Sequence, residues 1–161
     1  MSKLLSFVLC LGLASAAMAQ DESAVPADSP ADEGLITLPV REVAAEPDLT
    51  LDEFLWTARP VVVFADSPAD PAFRLQMELL LERPEALVER DVVVIVDTDP
   101  AGRSALRLKL RPRGFMLVII GKDGEVELRK PAPWDVREIS RTIDKMPLRQ
   151  QEIRDRSLSG D

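Results

Sequence analysis

The sequence predicts a three-layer α/β domain: a mixed central sheet that ends in a hairpin and a C-terminal helix. Three observations predict it. Continuous β-branched runs at Val61 to Ala65, Val92 to Val96 and Phe115 to Ile120 read as strands covered on both faces. Helix-start signals stand between successive runs, which implies right-handed crossovers and a parallel portion of sheet. Gly121-Lys-Asp-Gly124 then supplies a tight turn into Glu125 to Arg129, whose alternation suits a half-exposed antiparallel strand.

The elements follow in order from local chemistry. Thr50-Leu-Asp-Glu53 is a capping box that opens a short helix through Leu51, Phe54 and Leu55, and Arg59-Pro60 stops it. After the first strand, Asp66 to Asp70 is a polar turn. Asp70-Pro71 provides an N-cap and a first-turn proline for a helix carrying Phe73, Met77, Leu80 and Leu81 on one side. Arg83-Pro84 breaks that helix, and a second piece runs to about Glu89. Asp99-Pro100 repeats the helix-start pattern ahead of Ser104 to Leu110. Val136, Ile139, Ile143 and Met146 mark a last amphipathic helix that Pro147 ends, leaving 155–161 as a frayed polar tail.

Residues 1–19 read as a cleaved export signal, with Lys3 before an apolar stretch from Leu4 to Leu13 and Ala17-Met18-Ala19 as a small-x-small site. The apolar run falls short of the ~20 residues that span a bilayer, so no stable membrane anchor is expected and the product is periplasmic or secreted. Cys10 is the only cysteine and lies inside the apolar stretch, so it leaves with the signal. Residues 20–48 are rich in Ala, Asp, Glu and Pro and read as a flexible spacer, with Leu35 to Val40 apolar enough to add a short edge strand. The folded domain is placed at 49–154.

Composition excludes several chemistries. The chain has no histidine, and its cysteine lies in the signal, so Ser-His-Asp and Cys-His triads and the usual zinc ligands are missing. No phosphate-binding P-loop, nucleophile elbow or dinucleotide fingerprint occurs. A formal charge of −8, or −9 once Lys3 is removed, argues against nucleic-acid binding, for which phosphate contacts need a basic surface. No cofactor is implied.

Trp56-Thr-Ala-Arg-Pro-Val-Val-Val-Phe64, the Gly121-Lys-Asp-Gly124 turn and the ending Ile143-Asp-Lys-Met-Pro-Leu-Arg-Gln-Gln-Glu152 resemble a thioredoxin/peroxiredoxin-like domain of unknown function. That domain occurs alone in exported bacterial proteins and within animal sushi-repeat-containing and related extracellular matrix proteins. The resemblance implies a thioredoxin-like fold over roughly 49–154. Thioredoxins and peroxiredoxins keep their reactive cysteine in the turn after the first central strand, which here is Asp66-Ser-Pro-Ala-Asp70 and has none. The cis-proline position before the third strand corresponds to Gly114 and Phe115. Both departures remove the basis for redox activity.

The candidate binding turn is Asp66, Ser67, Asp70, Arg74 and Gln76. It lies outside the carboxyl end of a strand, where open α/β sheets bind ligands, and a helix N-terminus there offers donors to a small polar ligand or a partner's backbone. Asp97 and Asp99 at the neighbouring strand end join Asp66 as an alternative carboxylate-dependent enzyme or divalent-metal site. The stretch from Asp97 echoes a calcium loop, but Ala101 and Leu108 stand where ligands belong. Arg103, Arg107 and Arg111 form a basic docking patch or, as the preferred reading, a solvated helix face. Arg149-Gln-Gln-Glu152 is expected to tie the last helix to the sheet by side-chain hydrogen bonds.

Overall fold

A computed structural model of the chain describes residues 36–160; the expected signal, its cleavage site and the spacer up to residue 35 lie outside them. Five strands, β1 (Val40–Glu42), β2 (Arg59–Phe64), β3 (Val92–Asp97), β4 (Met116–Ile120) and β5 (Val126–Lys130), form one sheet in the order β1-β3-β2-β4-β5. β1 and β2 run parallel to β3, whereas β4 lies antiparallel to β2 and β5 antiparallel to β4.

The continuous apolar runs are explained by a period of two with both faces dry. Val61 and Val63 of β2 face the layer made by α1 (Pro71–Leu81), α2 (Pro84–Val88) and α4 (Val136–Asp144), with Leu80, Leu87, Ile139 and Ile143. Val62 and Phe64 face the other layer, built by α3 (Ala105–Leu110) and a 3-10 turn at Leu51–Phe54. Gly124 closes the β4–β5 hairpin at φ +82°, where a Cβ would stand 2.9 Å from the Leu55 side chain, so this position needs glycine for both reasons.

Four expectations need correction. The folded unit begins before residue 49: β1 pairs with β3 by three residues, and Leu38 and Val43 are buried core. Two apolar anchors with an edge strand supply the burial that the Pro- and Ala-rich composition conceals. Second, Pro147 starts a helix, α5 (Pro147–Ser159), instead of merely ending one, because proline's missing N–H costs nothing at a first helical position. Helix α5 carries the residues expected to fray as far as Ser159. Third, Leu81 is exposed, and Gln76 is wholly buried on the inner side of α1. Last, the third helix is capped by Ser104, which leaves Asp99-Pro100 in a turn outside it.

The Arg149-Gln-Gln-Glu152 ending lies in a polar lock at the amino end of β2. Arg59 is fully buried; its guanidinium donates to Glu152 at 2.7 Å and to the Arg90 carbonyl at 2.9 Å. Lys122 stands 3.1 Å from Glu152 and 2.7 Å from Asp91. Arg149, also buried, reaches Glu89, Asp144 and Glu152 within 3.3–3.7 Å. Arg90 grips both oxygens of Asp144 at 2.9 Å. Burial opposes ionisation of Glu152, but the hydrogen bonds and charges of Arg59 and Lys122 outweigh it and bring the carboxyl down to about 2. The sequence shows Arg59 only as a helix stop; its pairing partner lies 93 residues away.

Two predictions follow from this architecture. Leu38→Ala lowers unfolding free energy by about 2–4 kcal/mol in urea titrations, the cost of truncating a core leucine, whereas a spacer residue would cost nothing. Glu152→Gln removes the nearer of the two carboxylates that face Arg59, leaving Asp91 at 3.6 Å, and costs about 2 kcal/mol near neutral pH, the worth of a hydrogen bond to a charged group. Because the folded carboxyl is depressed, its contribution is complete above the ordinary carboxylate range and is lost as pH falls from about 4.5 toward 2. Acid-denaturation curves of wild type and Glu152→Gln therefore converge across that window.

Candidate functional site

The carboxyl ends of β2 and β3 are joined by one side chain. Arg107, on α3, donates from Nε to Asp97 at 2.7 Å and from its amino group to the Asp97 carbonyl at 2.9 Å and to the Ala65 carbonyl. Its guanidinium also lies over the Phe64 ring, 5.4 Å from the centroid. Asp97 is 2% exposed and accepts further bonds from the Ser104 hydroxyl at 2.5 Å and the Asp99 N–H at 3.3 Å. Ser104 in turn accepts from the Arg107 N–H at 3.1 Å, so the cap that starts α3 also aims Arg107.

This clamp rearranges the expected sites. Asp97 is spent on Arg107 and Ser104, and Asp99 accepts from the Ala101 N–H at 2.9 Å as a turn cap. Among the described residues no group of three or more acidic, histidine or cysteine side chains stands together as a metal would need. The Asp66, Asp97 and Asp99 alternative thus loses its ligand set to an internal cation. Arg107 turns inward, so the patch of Arg103, Arg107 and Arg111 does not exist as one face. Arg103 precedes the Ser104 cap with φ +46°, and Arg111 follows the helix with φ +50°, which leaves the two at opposite ends of a six-residue helix.

The expected binding turn is also divided. Asp70 accepts from the Ala72 and Phe73 N–H groups, which uses up the free donors of α1. Ser67 accepts from the Ala69 N–H at 3.1 Å. Asp66 is exposed, 4.0 Å from Arg107, and faces the loop before β4: a Cβ on Gly114, at φ +64°, would lie 3.9 Å from its carboxylate. Arg74 is exposed on α1. Gln76 leaves the site altogether. Its amide donates to the Trp134 carbonyl and accepts from the Trp134 N–H, both at 2.9 Å, fastening the loop before α4.

A cavity of about 520 Å³ opens beside this turn, across the ends of β1 and β3. Val43, Ala44, Pro47, Pro68, Phe73 and Val96 give it an apolar wall. Thr98, Asp99 and Ser104 line its polar side, and Glu42 stands at the edge strand. Half of the wall comes from 42–47, a stretch whose composition reads as spacer; only the apolar run ending at Val40 signals it in the sequence.

The matching family model spans residues 50–152 and is described as a domain of unknown function, DUF4174. The chain belongs to this family. No curated protein matches it. Among solved structures, it is similar to chloroplastic thioredoxin z, with a TM-score of 0.50 and 20% identity over 68% of this chain and 95% of that one. It is also similar to thioredoxin peroxidase I of Plasmodium yoelii, with a TM-score of 0.50 and 15% identity over 64% of this chain and 80% of that one. At these identities the likeness establishes a shared thioredoxin-like fold for the DUF4174 domain and nothing finer.

Substituting the clamp cation gives a direct check. Arg107→Met leaves Asp97 buried and unpaired and costs about 3–5 kcal/mol of stability. The double variant Arg107→Met, Asp97→Leu recovers most of that loss in thermal or urea unfolding, because an apolar pair of similar volume removes the unpaired charge.

Proposed function

We propose that this DUF4174 chain is an exported, non-catalytic thioredoxin-like domain that binds a partner protein or a small polar ligand beside the β2–α1 turn, in the periplasm or outside the cell. The observation that carries the reading is the makeup of that turn. Asp66-Ser-Pro-Ala-Asp70 holds no nucleophilic thiol, and Asp70 spends the α1 N-terminus on its own cap. Electron transfer through a disulfide needs a thiolate, and the sole cysteine, Cys10, lies in the expected signal.

Recognition is supported by the position of the cavity. It lies at the carboxyl end of parallel strands, where open α/β sheets place ligands. Its size falls within the ~300–1,000 Å³ of small-molecule sites. Export is supported by the leader-like pattern of residues 1–19 and by a family resemblance that extends to extracellular proteins. Among the described residues no helix is long and apolar enough to cross a membrane.

The purified full chain carrying Cys10→Ser is expected to give no insulin reduction and no peroxide consumption above buffer. Robust turnover in either assay overturns the non-catalytic reading.

A further inference from the structure

The cavity at the ends of β1 and β3 carries more information than its position, namely the sign of the charge it accepts. Its lining contains Glu42, Asp97 and Asp99 but no lysine or arginine. The nearby cation, Arg107, is committed: Asp97, the Asp97 carbonyl, the Ala65 carbonyl and Asp66 surround its guanidinium. An anion entering the cavity would meet carboxylates with no cation in the lining itself, at a cost that a partly enclosed, low-dielectric wall increases.

The three carboxylates are not equivalent. Asp97 is neutralised by Arg107 and buried, so it contributes a floor and not a free charge. Glu42 and Asp99 are exposed, and no ion pair holds either among the described residues. Glu42 lies at the end of the edge strand and Asp99 in the turn after β3. Between them lies an apolar wall with one aromatic side chain, Phe73. Such a wall gains by removing a hydrocarbon body from water, and the rim gains by pairing with a positive head left near solvent.

We infer that this cavity binds a small organic cation, an ammonium group carried on an apolar or aromatic skeleton. The inference rests on the binding role proposed above and specifies its ligand class. Selection by charge follows from the two rim carboxylates, and affinity follows chiefly from the wall.

The test titrates the ¹⁵N-labelled full chain with three probes of one skeleton: phenethylamine, 2-phenylethanol and phenylacetate. Phenethylamine is expected to shift the amide resonances of Val43, Thr98 and Ser104 saturably. It should bind about threefold to tenfold more tightly than the neutral alcohol, as two exposed charge contacts supply, and phenylacetate more weakly than either. The variant Glu42→Gln, Asp99→Asn keeps the remaining spectrum and brings the amine down to the alcohol's affinity. Ala44→Trp, which fills the wall, abolishes the shifts for all three probes.

Equal affinity for amine and alcohol, or tighter binding of phenylacetate, overturns the charge assignment. Absence of any saturable shift up to ~10 mM of every probe overturns the cavity as a small-cation site, since that limit corresponds to about 2.7 kcal/mol of binding. Neither outcome depends on redox turnover, so failure here is separable from failure of the non-catalytic reading.

Discussion

Strands β2 and β3 are covered on both faces, and this constraint organises the rest of the molecule. Every residue from Arg59 to Phe64 and from Val92 to Asp97 is buried. A strand in that position can carry polar side chains only at its ends, and only if each is answered within the protein. Arg59 opens β2 and Asp97 closes β3, and each is met by an opposite charge from a helix. At the amino end, α5 brings Glu152 to Arg59; at the carboxyl end, α3 brings Arg107 to Asp97. Helices α5 and α3 therefore act as clasps that answer charges the sheet could not otherwise bury.

The carboxyl-end clasp also determines what the site can do. It fastens the start of the β2–α1 turn at Ala65 and the β3 end at Asp97 to a single guanidinium, so this end of the sheet is braced internally. Capping by Asp70 removes the donors that would otherwise attract an anion. The neighbouring cavity is lined by residues 42–47, by the end of β3 and the turn after it, and by Pro68 and Phe73 from the β2–α1 turn and α1.

Much of the fold was readable because its strongest signals are local. The valine-rich runs, Asp70-Pro71 and the Gly121 to Gly124 turn each specify their element without distant partners. The same locality explains the errors. Pro147 reads equally well as a stop and as a start, and only the helix beyond it decides. Gln76 looks like a polar group beside a site until the Trp134 backbone is brought against it from 58 residues away. Arg107 looks like one of three neighbouring arginines; its pairing follows from Ser104, which caps its helix and bonds to Asp97 at once.

The sequence by itself determined the order of the elements, the mixed sheet and the absence of a thiol or imidazole from the folded domain. Each depends on residue type or on short-range periodicity, which the chain carries without folding. The tertiary structure decided which charges are neutralised and which remain free. Asp97 and Asp99 are two positions apart and of one residue type, yet one is a buried counter-ion and the other stands at an open rim. That distinction depends on where α3 packs, and packing is a property of the assembled layers.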